Sequence, residues 1–119
     1  MPAVRVLVVE DDEMVRAVCE NFLTSEGYQV WAVETPQEAR ALAEEVEFDV
    51  ALLDYGLPGE TGVELFLALK QKFPHLIGIL MTAGYLPHVL EECEEAGFHG
   101  FLPKPFALED LLHLLTTRW

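Results

Sequence analysis

The sequence predicts an α/β fold in which helices cover both faces of a parallel β-sheet. Short apolar runs rich in β-branched residues alternate five times with segments whose apolar residues recur at helical spacing. Gly27, Pro74 and Gly97 mark the ends of three of these units. This alternation is typical of parallel strands joined by right-handed crossover helices.

The strand candidates are nearly continuous apolar runs, as expected for strands that are buried on both faces. We place them at residues 4–9, 28–33, 49–54, 76–81 and 98–102. The third run ends in Asp54, and three glycines and a proline follow within eight residues. This carboxylate is therefore expected where a strand stops and a tight loop begins, although an aspartate there can also simply start a turn.

The helix candidates carry apolar stripes with spacings of three and four residues. The stripes run through residues 15–23, 39–46, 63–72, 89–96 and 107–117. Thr35 and Glu38 match a capping box, with Pro36 at the first helical position. Gly27 and Gly97 are expected as left-handed caps where two of the helices end.

We predict a flavodoxin-like, doubly wound sheet with the strand order 2-1-3-4-5 and five helices. Five units, and a first strand that has to lie beside the third to share its chemistry, favour this order. Spacing along the sequence does not separate it from a Rossmann-like order. The length suits one core, so residues 1–119 are expected to form a single domain.

Composition argues against several classes of function. Seven basic and 21 acidic residues give a net charge of −14, which repels a phosphate backbone, so direct nucleic-acid binding is not expected. Apolar runs of about five residues are too short to span a membrane, and we expect a cytoplasmic protein without a signal peptide. Cys19 and Cys93 lie on apolar stripes and are expected as reduced core thiols.

Chemically active side chains follow four of the predicted strands. They are Glu10 and Asp11 after the first, Asp54 at the end of the third, Thr82 after the fourth and Lys104 after the fifth. Parallel strands end at one edge of the sheet, where ligands bind, so these groups are expected to converge. Crowded carboxylates favour a hard divalent cation, with Mg²⁺ expected. A lysine, a hydroxyl and a metal beside one carboxylate also suit the oxygens of a transferring phosphoryl group.

Four segments in the same order also carry a family resemblance. They are Val-Val-Glu-Asp-Asp-Glu at 8–13, Leu-Leu-Asp-Tyr-Gly-Leu-Pro-Gly-Glu-Thr-Gly at 52–62, Met-Thr-Ala-Gly at 81–84 and Leu-Pro-Lys-Pro-Phe at 102–106. Together they resemble the response-regulator receiver domain of two-component signalling and phosphorelays. Each segment alone is a weak signal, whereas four at the right spacing over the whole chain are specific.

The resemblance implies that Asp54 is phosphorylated by a partner histidine kinase or histidine phosphotransfer protein. It implies that Thr82 and Lys104 engage the phosphoryl group and that the Lys104–Pro105 peptide is cis. Phe101 falls at the aromatic switch position, and we expect Thr82 and Phe101 to end neighbouring strands. Phosphorylation is then expected to draw Thr82 toward the phosphoryl oxygens and to let Phe101 turn inward into the space that is vacated. This would change the face made by the fourth helix, the fifth strand and the fifth helix, where a downstream protein or a second copy would bind.

The resemblance also implies how Mg²⁺ is held. Asp11 and Asp54 correspond to direct ligands, Glu10 to a ligand acting through water, and the Gly56 carbonyl to the remaining protein ligand. The chain is expected to catalyse only its own phosphorylation and dephosphorylation and not to be an enzyme for other substrates. Because glycine at positions 56 and 84 leaves the phosphoryl group open to water, the aspartyl phosphate is expected to be short-lived.

Three rival interpretations fit fewer of these residues. A metal-dependent phosphohydrolase of the haloacid-dehalogenase kind also forms an aspartyl phosphate, but it needs an Asp-x-Asp pattern after its first strand, where this chain has Glu10, Asp11 and Asp12. A flavodoxin-like cofactor binder needs a Ser-, Thr- or Gly-rich phosphate loop at the same place. A degenerate receiver acting only as a protein-binding module would not need all five expected positions to be filled.

Overall fold

The computed structural model describes residues 3–84 and 86–116. The described residues form five strands, β1 (Arg5–Val9), β2 (Gln29–Val33), β3 (Val50–Asp54), β4 (Ile77–Thr82) and β5 (Gly100–Pro103). They also form five helices, α1 (Glu13–Ser25), α2 (Pro36–Ala43), α3 (Gly62–Lys72), α4 (Pro87–Ala96) and α5 (Leu108–Thr116). All neighbouring strands pair in parallel, in the order β2-β1-β3-β4-β5, so the predicted sheet is confirmed.

The core consists of two layers, one on each face of the sheet. On one face, α2, α3 and α4 pack residues such as Ala39, Phe66 and Val89 against alternate strand residues. On the other face, α1 and α5 pack residues such as Leu23 and Leu111. Every residue of β3 is buried because this central strand is covered on both faces, which explains its unbroken apolar sequence.

Most strands begin and end within one residue of the predicted positions, and the main exception is the start of β5. It begins at Gly100 instead of Phe98, because the N–H and the ring of Phe98 form other contacts. The Phe98 N–H closes α4 by donating to the Cys93 carbonyl at 3.1 Å. The Phe98 ring packs on Phe66 with the ring centroids 4.2 Å apart. At its other end β5 extends to Pro103, one residue further than predicted.

The capping residues that the sequence predicts at the ends of α1, α2 and α4 are confirmed. Thr35 and Glu38 form the capping box at the start of α2, whereas α2 ends at Ala43, before the predicted residue 46. Gly27 and Gly97 have φ values of +94° and +86°, as left-handed caps require. Residue 117, the predicted end of α5, lies outside the described residues.

Two further findings concern the cysteines and the helix lengths. Cys19 and Cys93 are buried free thiols, as expected from their places on the apolar stripes. None of the helices in the described part of the chain combines the length and apolar composition of a membrane-spanning segment.

Candidate functional site

The predicted site residues lie at the carboxyl edge of the sheet. Glu10 and Asp11 follow β1 directly, and Asp54 is the last residue of β3. Thr82 is the last residue of β4, and Lys104 comes immediately after β5. Since all five strands run in parallel, these ends meet at the same edge.

Three carboxylates form a compact cluster at this edge. One oxygen from each of Glu10, Asp11 and Asp54 lies within 4.8 Å of the other two. Glu10 and Asp54 are buried and Asp11 is exposed, so the cluster opens to solvent on one side. An all-oxygen set of ligands with an open side fits a hard cation that keeps several waters, as Mg²⁺ does.

Lys104 bridges two members of this cluster. Its ammonium donates a hydrogen bond to Oε1 of Glu10 and lies 3.0 Å from Oδ1 of Asp54. Its backbone N–H donates to the Thr82 carbonyl at 2.6 Å, and the Lys104–Pro105 peptide is cis. The strand ends therefore fix where the lysine stem begins, and the ammonium lies against the carboxylate of β3.

The buried charges affect each other's protonation. Burial by itself lowers the pKa of Lys104, but the hydrogen bonds to Glu10 and Asp54 outweigh burial, and the pKa is raised. Burial raises the pKa of the Glu10 carboxyl, the Asp54 carboxylate adds to this effect, and Lys104 opposes it. A cation bound among the carboxylates would favour their ionised forms.

Thr82 belongs to the site because it ends β4 at the same edge of the sheet, although its hydroxyl forms its hydrogen bond elsewhere. Its side chain is buried, and its hydroxyl donates a hydrogen bond to the Gly84 carbonyl in the loop after β4. Turning the hydroxyl toward Asp54 would break that bond and free the loop. The hydroxyl is thus connected to the segment that leads into α4.

The loop after Asp54 depends on two glycines. A Cβ added at Gly56 would lie 3.9 Å from Oδ2 of Asp54, so Gly56 borders the carboxylate. A Cβ added at Gly62 would overlap the carbonyl of Asp54 and press on Leu80 at 3.1 Å, so only glycine allows α3 to start this close to β3. The Gly62 N–H closes the loop on the Tyr55 carbonyl at 3.0 Å.

Phe101 lies differently from what the sequence analysis expected. It pairs with Leu80 inside β5, and it is Pro103 that pairs with Thr82. The expectation that Thr82 and Phe101 both end their strands is therefore wrong for Phe101, because β5 continues through Pro103. The half-buried Phe101 residue borders a surface cavity of about 310 Å³ together with Phe106, which precedes α5, and with α5 residues such as Leu114.

Three other contacts near the site were not predicted. The Asp12 carboxylate caps α1 by accepting from the N–H groups of Met14 and Val15, a signal that was available because aspartate precedes the apolar stripe. Nη1 of Arg16 donates to the Glu10 carbonyl at 2.9 Å. The Tyr55 hydroxyl lies 3.2 Å from Oε2 of Glu92.

An apolar groove of about 580 Å³ borders the site. Its walls come from α1, from the loop before α5 and from the first residue of α5. The apolar lining residues are Met14, Val15, Val18, Cys19, Pro105, Phe106 and Leu108. Lys104 and Ala83 also line it, so the groove is continuous with the part of the site around the Lys104 side chain. Met14 is 76% exposed and Val18 46% exposed, so the two side chains present an apolar surface to solvent beside the groove.

A doubly wound sheet with a carboxylate cluster and a bridging lysine at its carboxyl edge defines the receiver class of α/β domains. The sequence-family model of the response regulator receiver domain matches residues 6–116, and the chain belongs to this family. Such domains are the phosphorylation-switched receivers of two-component systems and pair with histidine kinases and phosphotransfer proteins. They bind Mg²⁺ at an acidic pocket and in general are not enzymes.

Solved structures share the fold over almost the whole chain. The CheY-like receiver domain from Methanospirillum hungatei JF-1 is 29% identical, with a TM-score of 0.89 over 96% of this chain and 91% of that one. Chemotaxis protein CheY4 of Vibrio cholerae is 30% identical, with a TM-score of 0.88 over 96% of this chain and 97% of that one.

Curated relatives are longer. A cyclic di-GMP phosphodiesterase from Thermotoga maritima is 38% identical over 112 residues, which is 94% of this chain and 30% of that protein. This chain spans between 12% and 44% of the length of four such relatives. The phosphodiesterase name therefore describes that protein, of which the shared part is under a third.

Proposed function

We propose that Asp54 accepts a phosphoryl group from the phosphohistidine of a histidine kinase or histidine phosphotransfer protein. The observation that carries the proposal is the placement of the Lys104 ammonium, 3.0 Å from Oδ1 of Asp54 and inside the carboxylate cluster. A carboxylate with a fixed cation beside it has the two features that in-line phosphoryl transfer needs, a nucleophile and a stabilised oxyanion.

In the proposed transfer, one Asp54 oxygen forms a bond to phosphorus while the bond from phosphorus to the donor imidazole breaks. The imidazole leaves with the electron pair of that bond and takes a proton from solvent. The Lys104 ammonium stays close enough to bind a phosphoryl oxygen as negative charge develops there, because it already bonds to the attacking carboxylate of Asp54. Thr82 exchanges its bond to the Gly84 carbonyl for one to a second phosphoryl oxygen.

We assign the Mg²⁺ ligands to Asp11, Asp54 and the Gly56 carbonyl, with Glu10 acting through water. When bound, the ion neutralises the carboxylates and the phosphoryl oxygens. The support is the 4.8 Å cluster and the position of Gly56 at the rim of the Asp54 carboxylate. Lys104 and Glu10 hold the buried part of the site in place, while the exposed Asp11 side admits solvent.

The donor protein is proposed to dock on the groove beside Lys104. A phosphohistidine on a protein has to be presented at the mouth of the site, and the exposed Met14 and Val18 side chains offer an apolar surface there. Histidine kinases phosphorylate their histidine from cytoplasmic ATP, so we propose a cytoplasmic location for this chain. Residues 1–119 are proposed to be one receiver domain that catalyses only its own phosphorylation and dephosphorylation.

The proposed output is a change of the face made by α4, β5 and α5. Thr82 and Phe101 are the proposed switch residues, since Thr82 leads into the loop before α4 and Phe101 borders α5. The exposed carboxylates of this face include Glu91, Glu94 and Glu95, so a downstream protein partner with basic residues fits it better than a second copy does. The net charge of −14 argues against direct nucleic-acid binding.

Intact-protein mass spectrometry with acetyl phosphate and Mg²⁺ tests this function. We expect the wild-type chain to gain the mass of one phosphoryl group and Asp54→Asn to gain none. Asp12→Asn is the matched control, because it changes a neighbouring acid at the same edge while asparagine still caps α1. Equal uptake by the wild-type chain and Asp54→Asn would overturn the assignment.

A further inference from the structure

Glu10 is held at each of its polar groups by a different part of the fold. Its N–H donates to the Val33 carbonyl of β2 at 3.1 Å. Its carboxylate accepts from Lys104 and, at 3.4 Å, from the Asp12 N–H. Its carbonyl accepts from Nη1 of Arg16 at 2.9 Å, so a side chain of α1 fixes the peptide that leads into Asp11.

Asp11 lies between two fixed residues. It forms a bend between β1 and α1, and its side chain is exposed. On one side Arg16 holds the Glu10 carbonyl, and on the other side Asp12 is fixed as the cap of α1. The direction of the Asp11 carboxylate therefore depends on how firmly these neighbours are held.

We propose that Arg16 is a positioning residue for the cation site, acting through the Glu10–Asp11 peptide on the Asp11 carboxylate. The inference rests on the proposed function, which gives Asp11 its role as a ligand. Arg16 is half-buried near the start of α1, and its described hydrogen bond goes to a backbone carbonyl and not to a carboxylate. A planar guanidinium fixes a carbonyl in direction better than a flexible lysine does.

The charge of Arg16 and its positioning role act on cation affinity in opposite directions. A positive charge this close to the carboxylates repels Mg²⁺, so removing the charge alone would tighten binding. Loss of the hydrogen bond lets the Asp11 carboxylate move, which weakens binding. Outer-shell partners of metal ligands are worth about 10-fold to 100-fold in affinity, so we expect positioning to dominate.

The experiment is calorimetric titration of the full chain with Mg²⁺ alone. Relative to wild type, we expect Arg16→Met to raise the Kd about tenfold and Arg16→Lys to raise it by a smaller factor. Arg5→Met is the control, because the exposed Arg5 side chain lies at the amino end of β1, the opposite end of the strand from Glu10. Its Kd should equal that of the wild-type chain.

A second readout needs no metal. In the metal-free protein, Arg16→Met should speed hydrogen exchange of the Asp11 and Asp12 amides, while the amides of β3 stay protected. An equal or tighter Mg²⁺ affinity in Arg16→Met would overturn the positioning role and leave the proposed function intact. Absence of Mg²⁺ binding in the wild-type chain would overturn both. If Arg16→Met does not fold, an unchanged Kd in Arg16→Lys would overturn the inference.

Discussion

The hydroxyl of Tyr55 donates a hydrogen bond of 3.2 Å to Oε2 of Glu92. Tyr55 is the residue directly after Asp54, and Glu92 lies in α4, so the bond connects the loop of the candidate phosphoacceptor with the helix of the proposed output face. Both side chains are half-buried. A displacement of either the loop or the helix therefore affects the other through this contact.

The helix at the far end of this bond, α4, lacks a side-chain cap at its amino terminus. Leu86 at its amino terminus provides no side-chain cap, and no basic residue lies in its last turn. Glu94 and Glu95 near its carboxyl end oppose the helix dipole. Contacts such as the one between Tyr55 and Glu92 therefore matter more for α4 than they would for a helix whose amino terminus is capped by a side chain.

We expect Tyr55→Phe to loosen α4 without changing the rest of the fold. The phenylalanine keeps the ring and removes one hydrogen bond to a charged group, so the free energy of unfolding should fall by about 1 kcal/mol. Hydrogen exchange should accelerate in α4 and stay unchanged in α1. Tyr28→Phe serves as the control, since Tyr28 follows α1 on the other side of the sheet. Equal exchange in α4 of the wild-type chain and Tyr55→Phe would contradict the coupling.

We expect beryllofluoride with Mg²⁺ to change the surroundings of Phe101 and α4 in the wild-type chain. The reason is that the Thr82 hydroxyl has to leave the Gly84 carbonyl to reach a phosphoryl oxygen, which frees the loop before α4. Thr82→Ser retains a hydroxyl and should retain the change, whereas Thr82→Ala should lose most of it. The measurement is the NMR shift of the Phe101 ring and the α4 amides. Identical spectra with and without beryllofluoride would show that the switch is absent.

We expect Gly56→Asn to lengthen the lifetime of the aspartyl phosphate. A side chain at this position has room, since the nearest atom to its Cβ would be Oδ2 of Asp54 at 3.9 Å, and it would cover the approach of water. An effect of about tenfold or less is expected, because in-line attack is sensitive to access. The assay is loss of phosphate after removal of the donor at fixed Mg²⁺.

The control variant for this lifetime measurement is Gly59→Asn, in the same loop. Gly59 has a φ of +86° that asparagine tolerates better than most residues, and its Cβ would meet no atom within 4 Å. Gly84 is a poor place for a bulky residue such as Glu, because its φ of +91° is one that most residues other than glycine and asparagine adopt only with strain. Unchanged or faster loss in folded Gly56→Asn would show that water access does not limit the lifetime.

We expect both thiols to resist alkylation in the native protein at neutral pH. Burial raises the pKa of Cys93 to about 11, with a smaller effect from Glu94, and burial likewise raises the pKa of Cys19 to about 11. A raised pKa means that the folded chain keeps these protons longer than the unfolded chain does. The stabilisation is therefore complete below about pH 8 and is lost as the pH rises toward 11.

Iodoacetamide labelling followed by mass spectrometry checks this expectation. Labelling at pH 8 should be slow in buffer and fast for both cysteines in urea, which is the control for reagent activity. Cys93 lies on the buried side of α4, and its sulfur lies 3.9 Å from the Gly100 carbonyl. Rapid labelling of Cys93 in the native protein would contradict this burial.

The sequence predicted those parts of the molecule that depend on local chemistry and on parallel topology. Thr35 and Glu38 interact across one helical turn, so their spacing alone predicts the cap of α2. The meeting of Asp54 and Lys104 follows from strand order, since parallel strands end together. These parts need no knowledge of individual side-chain contacts.

The parts that the sequence did not predict depend on tertiary contacts. Phe98 is apolar enough for a strand, but its ring is used against Phe66, and β5 starts two residues later. The bond from Tyr55 to Glu92 joins residues 37 positions apart and leaves no periodic signal. Arg16 is an ordinary polar helix residue by pattern, and only the geometry shows its contact with the Glu10 carbonyl.

The central claim is that Asp54, and no other acid of the cluster, carries the phosphoryl group. Borohydride reduces an aspartyl phosphate to homoserine, so reduction after incubation with acetyl phosphate and Mg²⁺, followed by peptide fragmentation, locates the modified residue. The account predicts homoserine at position 54 and unmodified Asp11 and Asp12 in the same sample. Homoserine at position 11 or 12, or its absence from position 54 in a phosphorylated sample, would contradict it.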